Sequence, residues 1–274
     1  MILTDDLFDK YVKLIYKKTG LYYENNKKYF VEKRIENRAV LFQMDSLNEY
    51  YMYLKFESDT TEFYKLINDL TVNETYFFRD FPQLRNFAED VLPIVAKGKE
   101  DRKKLKIWCA ACSTGEEPYT LSIILREMLE KPEEWDLQII ASDINTEVLQ
   151  SAKIGLYDKR AVKDVPPEYL ERYFTKSHDQ YLINLNIRKS VTFKRINLMD
   201  EKDRSSINGC DFIFCRNCLI YFDDESRKSV VTSFYESLNP EGFLFLGHSE
   251  SVGRISSAYK VKRMGDTIVY FRPK

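Results

Sequence analysis

Apolar positions in the N-terminal part of the chain recur at helical spacing. Leu7, Phe8, Tyr11, Val12 and Ile15 share one face; Thr4 is placed to cap that helix and Gly20 to stop it. A second helix is predicted over residues 26–42. Ser46 and Glu49 have capping-box spacing ahead of a third. Asp59 with Glu62 predicts the start of a fourth, which buries Phe63, Leu66, Ile67 and Leu70. Residues 1–82 are therefore expected to form a small all-helical unit and the segment that leaves it. From Leu105 the pattern changes to short continuous apolar runs. "LKIWCA", "LQIIASDI", "SVTFKRINL", "GFLFLGHSES" and "TIVYFRP" read as strands, "CDFIFCRNCLIYF" contains another, and "PYTLSIILREML", "NTEVLQSAKIG" and "DESRKSVVTSFYESLN" read as helices between them. That alternation predicts an α/β unit over residues 83–274, with a mostly parallel, doubly wound sheet. One insertion interrupts it at about residues 172–192. There Tyr181, Ile183, Leu185 and Ile187 alternate with Asn184, Asn186 and Arg188, which predicts a small β excursion.

Composition narrows the function classes. A net charge of -1 argues against capture of nucleic acid or an anionic membrane by bulk electrostatics. No apolar run is long enough to cross a bilayer, and "MILTDDLFDK" lacks a signal-peptide pattern, so a soluble cytoplasmic protein is expected. Five cysteines, an odd number, fit a reducing compartment better than a disulfide framework.

In a doubly wound sheet the ligand sits beyond the carboxyl ends of the strands. The residues predicted there are Ser113, Thr114, Gly115, Glu116 and Glu117; then Asp143; then Asn197 and Leu198; then Arg216, Asn217 and Tyr221; then His248, Ser249 and Glu250. Asp143, ending the second strand, is placed to accept hydrogen bonds from ribose hydroxyls. Neither G-x-x-x-x-G-K-[ST] nor G-x-G-x-x-G is present. The first loop carries two glutamates, which would repel phosphate and suit a cationic, phosphate-free nucleoside such as S-adenosylmethionine. The simpler alternative is that Glu116 and Glu117 favour the positive end of the helix opened by Pro118, and that Asp143 caps the helix near Asn145. "NDLTVNETYFFRD" joins the two units and offers Asn73, Thr75 and Arg79 to close over a cofactor. His178 and His248 suggest no nucleophile–base pair. Cys109-x-x-Cys112 and Cys215-x-x-Cys218 have the spacing of a four-cysteine zinc site, but Cys109 and Cys215 fall inside apolar strands, where buried thiols are the better reading.

"TVNETYFFRD", "WCAACSTGEEPYTL", "ASDINTEVLQSAKIGLY", "INLMD", "FCRNCLIYF" and "GHSES" occur in this order, and together they resemble the motifs of the chemotaxis receptor glutamate methyltransferases, the CheR family. The resemblance runs over nearly the whole chain. It implies an N-terminal all-helical domain, a Rossmann-like S-adenosylmethionine-dependent methyltransferase domain, and a small β-subdomain inserted in it. It implies methylation of glutamate side chains on the cytoplasmic helices of methyl-accepting chemoreceptors, leaving S-adenosylhomocysteine. Carried over by motif, the cofactor contacts are Asn73, Thr75, Arg79, Glu117, Asp143, Asn197, Leu198, Arg216 and Asn217, and the catalytic residues are Arg79 and Tyr221. Members that dock on a receptor's C-terminal pentapeptide have a glycine-containing extension in the β-subdomain. "YFTKSHDQYLINLNIRKS" is short and lacks glycine, which argues against that tether. Lys27, Arg34 and Arg38 fall near one helical face and are candidate contacts for an acidic receptor helix. A monomer is expected.

Overall fold

The computed structural model describes residues 1–56, 60–253, 255–265 and 267–274. Four helices come first: α1 (Asp5–Thr19), α2 (Lys28–Leu41), α3 (Leu47–Phe56) and α4 (Thr61–Leu70). The Thr4 side chain accepts a hydrogen bond from the Leu7 N–H, and Gly20 closes α1 in the left-handed conformation at φ 72°. Ser46 caps α3 through the Glu49 N–H at 3.2 Å, while the Glu49 carboxylate reaches back to the Asp45 N–H. The predicted Asp59 cap of α4 lies outside the described residues. Tyr11, Ile15, Val31, Ile35, Tyr50, Phe63, Leu66 and Ile67 make one core between these helices.

Two short helices follow, α5 (Phe81–Asn86) and α6 (Leu92–Lys97), joined by a π turn at Phe87–Val91. The sequence pattern did not assign them. Pro93 reads as a break, yet the wider turn before it closes with Leu92 N–H bonded to the Phe87 carbonyl, and the helix continues. Phe87 meets Phe212, Phe214 and Phe245 edge-on.

The rest of the chain is built of β1 (Lys104–Ala110), α7 (Glu116–Met128), β2 (Asp136–Asp143), α8 (Thr146–Ile154), β3 (Leu156–Asp158), α9 (Pro167–Tyr173), β4 (Phe174–Ser177), β5 (Gln180–Ile183), α10 (Leu185–Arg188), β6 (Val191–Arg195), α11 (Glu201–Ser205), β7 (Cys210–Cys215), α12 (Asp224–Ser237), β8 (Leu238–Leu246), β9 (Lys260–Met264) and β10 (Thr267–Phe271). The main sheet has the order β6-β2-β1-β7-β8-β10-β9. It is parallel from β6 to β8, and β10 runs antiparallel to both β8 and β9. The chain order reverses between β1 and β7, which opens a crevice at their carboxyl ends. Strand β9 was not predicted: it is an exposed edge, and its lysines suit an edge rather than a core.

The inserted sheet is β3-β5-β4, antiparallel throughout. Two features differ from the sequence reading. Its first strand comes from residues 156–158, ahead of the expected insertion. The alternation read through Ile187 stops at Ile183, and residues 185–188 turn into α10, burying Ile187 while Leu185 stays exposed.

Candidate active site

A cavity of about 590 Å³ lies at the carboxyl ends of β1, β2 and β7. The sheet domain supplies its floor. The strap from Thr71 to Arg79 covers one side, and Leu21, Tyr22, Tyr23, Lys27 and Phe30 of the helical domain form another. All ten residues proposed from the sequence for cofactor and catalysis line it: Asn73, Thr75, Arg79, Glu117, Asp143, Asn197, Leu198, Arg216, Asn217 and Tyr221.

Asp143 ends β2 with both carboxylate oxygens engaged. Ser113 N–H donates at 2.9 Å and Asn145 N–H at 3.0 Å. Asn145, not Asp143, caps α8, accepting from the Glu147 and Val148 N–H groups. Burial pushes the Asp143 carboxyl above its ordinary range, against the pull of those backbone donors. Glu117 is likewise raised by burial and opposed by Arg216, which bonds it at 2.9 Å. Arg216 also faces Asp80 at 3.4 Å and donates to the Arg79 carbonyl at 2.7 Å. One buried guanidinium thus holds two carboxylates and the backbone of the strap. Asp80 in turn bonds His248 at 2.7 Å, so that histidine is a surface partner, not a base facing the cavity.

Arg79 donates to the Glu74 carbonyl at 2.9 Å, and its guanidinium lies 5.7 Å from the Tyr76 ring centre. Its neighbours Phe78 and Asp80 both sit in the left-handed region, at φ 58° and 63°. Ala111, Ser113 and Asn217 at the cavity wall do the same, at 62°, 49° and 57°. Side-chain-bearing residues avoid this conformation, and its concentration here marks backbone held under strain around one site.

The Asn197 amide donates to the Lys18 carbonyl at 2.6 Å, and its oxygen accepts from the Met199 N–H. Asn197 therefore ties the end of α1 to the sheet as well as lining the cavity. Tyr221 lies on a 3₁₀ turn, half-buried, and burial raises its phenol pKa, so it remains a neutral hydrogen-bonding group. Its carbonyl accepts from the Tyr22 N–H at 2.9 Å, beside a Leu21–Phe222 bridge. The sequence carried no signal for this contact, because residues 21 and 221 are brought together only by docking of the two domains.

The three basic residues proposed for receptor contact separate. Lys27 lines the cavity. Arg34 lies 3.8 Å from the Phe30 ring centre, at a shallow cleft shared with Lys33, Asn37 and Asp69. Arg38 lines the same cleft, with its guanidinium bonded to buried Glu62, which also accepts from the Tyr50 hydroxyl at 2.7 Å. On the same helix, Glu36 pairs with the N-terminal ammonium and Glu32 accepts from the Leu3 N–H. The cysteines divide as well. Cys109 and Cys112 pack on one face of the sheet, and Cys210 and Cys215 on the other. Among the described residues no group of three or more His, Cys, Asp or Glu is arranged to hold a metal.

Residues 6–71 match the family of the CheR methyltransferase all-alpha domain, and residues 73–268 that of the CheR methyltransferase SAM binding domain. The chain belongs to the CheR methyltransferase family. Chemotaxis protein methyltransferase 2 of Vibrio cholerae is 44% identical over all of this chain and 95% of its own length. The chemotaxis protein methyltransferases of Salmonella typhimurium and Borreliella burgdorferi are 32% and 30% identical, over 98% and 91% of this chain and 91% and 89% of theirs.

This CheR chain is an S-adenosylmethionine-dependent methyltransferase, and the cavity suits that cofactor on its own chemistry. Glu117 shares Arg216 with Asp80, and Asp143 is held only by backbone N–H groups, which leaves carboxylate in surplus beside the loop that would otherwise cradle phosphate. That surplus suits an ammonium and a sulfonium and opposes a pyrophosphate.

Glu116 belongs to the helix start, as its simpler reading held. It is buried, accepts from the Thr114 hydroxyl, and is pushed by burial from an ordinary 4.5 to about 7. A carboxyl raised in the folded state stabilises the fold below its unfolded pKa, and that contribution is lost as pH rises through 7. Glu116→Gln keeps the acceptor without the charge. We predict that it removes about 1–3 kcal/mol of the stability loss between pH 5 and pH 8. Urea midpoints of both proteins at the two pH values test this; parallel pH profiles would refute it.

Proposed function

We propose that this CheR enzyme transfers a methyl group from S-adenosylmethionine to glutamate side chains of chemoreceptors, on the cytoplasmic side, and so forms the methyl esters of chemotactic adaptation. The observation that supports this best is the pairing of Arg79 and Tyr221 with the acidic cofactor end of one cavity. Among the described residues no histidine lines that cavity. A glutamate acceptor has an ordinary pKa of about 4.3 and is ionised at neutral pH, so the reaction asks for no general base. Bound S-adenosylmethionine supplies a methyl on a sulfonium, an electrophile that a carboxylate attacks directly. The protein's own work is then positioning, where effective molarities reach on the order of 10⁵ M or more. Asn73, Thr75, Glu117 and Asp143 would hold the cofactor, with Asn197, Leu198, Arg216 and Asn217 completing its walls. Arg79 and Tyr221 would orient the reacting groups, Arg79 without a tight pair to the acceptor that would blunt its nucleophilicity.

The test is methyl-labelled cofactor with chemoreceptor-containing membranes. Label released by base as methanol is expected. Base-stable label, or label on a small molecule alone, would overturn the glutamate assignment.

Lys27 and Arg34 would face the acidic receptor helix. Reversing both to glutamate is predicted to raise the receptor KM about 5- to 20-fold at low salt. A KM that does not move removes them from the interface. The monomeric enzyme would act without a pentapeptide tether: the β4–β5 hairpin closes through only His178 and Asp179, with Ser177 paired to Gln180, and has no extension to receive one.

A further inference from the structure

Glu250 does not line the cavity, yet three backbone N–H groups converge on its carboxylate. One oxygen accepts from Asn217 at 2.9 Å and from Gly247 at 2.7 Å, and the other accepts from Cys218 at 2.9 Å. These donors come from two loops, one after β7 and one after β8. Bonds of this kind, to a charged acceptor, are among the stronger hydrogen bonds in proteins. They fall where the backbone needs holding. Asn217 is at φ 57°, and Gly247 lies so near that a Cβ there would come within 2.9 Å of the Asn217 nitrogen and 2.8 Å of the Glu250 oxygen. The residue before Asn217 is Arg216, which joins Glu117, Asp80 and the Arg79 carbonyl. The loop after β7 thus feeds the strap, the start of α7 and the cofactor end of the cavity at once.

We propose that Glu250 is a positioning residue for methyl transfer: its carboxylate latches the loop after β7 in its left-handed conformation and thereby sets Arg216 and Asn217 against the cofactor. The proposal rests on the cavity being the cofactor site. It explains a charged residue that no cavity contact requires. A neutral amide of the same shape cannot do this work, because its NH₂ would face a backbone N–H donor.

Glu250→Gln in the full chain is the test, read by S-adenosylhomocysteine binding in a calorimeter and by amide hydrogen exchange. The expected result is a dissociation constant about 10- to 100-fold higher and faster exchange at Asn217, Cys218 and Gly247. Glu250→Asp, which keeps the charge and four lone-pair sites, is expected to fall between wild type and Glu250→Gln, and it decides the matter if Glu250→Gln does not fold. A role in stability alone would lower the urea midpoint and leave the affinity of the folded protein unchanged, which would overturn the latch. Weakened binding with unaltered exchange at those three amides would overturn it as well. Neither readout involves a chemoreceptor, so failure here is distinct from failure of the acceptor assignment.

Discussion

Arg79→Ala is expected to lower kcat for methyl transfer by about 10²- to 10³-fold, or roughly 3–4 kcal/mol of activation free energy. The guanidinium is aimed by features that a substituted side chain cannot reproduce. Left-handed residues flank it on both sides, Arg216 holds its carbonyl, and Glu74 and Tyr76 hold its tip. Alanine leaves that strained backbone in place and deletes only the group it presents, so the fold should survive while the reaction does not. Arg79→Lys is expected to recover little, since a compact ammonium lacks the planar fork that bonds the Glu74 carbonyl while reaching over the Tyr76 ring. The measurement is label transfer to receptor-containing membranes at saturating cofactor and receptor. Wild-type turnover in Arg79→Ala under those conditions would remove Arg79 from the reaction.

The second large effect is on stability. Arg216→Met is expected to destabilise the protein by about 3–5 kcal/mol at pH 8, because it leaves Glu117 and Asp80 without their shared cation in a buried setting. Burial already raises the Glu117 carboxyl against the opposing pull of Arg216, and loss of that pull raises it further. A carboxyl raised in the fold stabilises it while protonated and ceases to as pH rises through the folded pKa. The deficit of Arg216→Met should therefore shrink as pH falls from 8 toward 5.5. Adding Glu117→Gln should recover part of it at pH 8. Urea unfolding of wild type, single and double variants at both pH values gives the answer, and a deficit independent of pH and of residue 117 would contradict the account. S-adenosylhomocysteine binding should weaken in parallel, since Glu117 and the strap lose the same anchor.

Much of the site was legible because strand ends are legible. The apolar runs "LKIWCA", "LQIIASDI" and "SVTFKRINL", and the one within "CDFIFCRNCLIYF", locate four strand ends to within a few residues, and a doubly wound sheet puts its ligand beyond them. The absence of a phosphate loop and the presence of two glutamates then gave the sign of the ligand's charge. What was not legible is which of those residues spend their hydrogen bonds on each other. Arg38 looked like part of a basic helical face, but its partner Glu62 lies on another helix. Cys109-x-x-Cys112 and Cys215-x-x-Cys218 had zinc spacing, and the pleat of the sheet puts Cys109 and Cys215 on opposite faces. Glu250 stood among the strand-end residues without a role, since its three partners are backbone groups that no side-chain pattern reveals.

The sequence by itself determined the four N-terminal helices, the main alternation of strands and helices after them, the order of chemistry along the sheet, the family resemblance, and a cofactor without phosphate. Those properties follow from local periodicity, from the motifs and from residue charge, which are written along the chain. The tertiary structure decided that residues 21–30 wall the same cavity as Tyr221, that Arg216 binds the strap to α7, that Arg38 is bonded to Glu62, and that Glu250 holds the loop after β7. Each of these joins groups far apart in sequence, and each depends on which donor meets which acceptor once the backbone is packed.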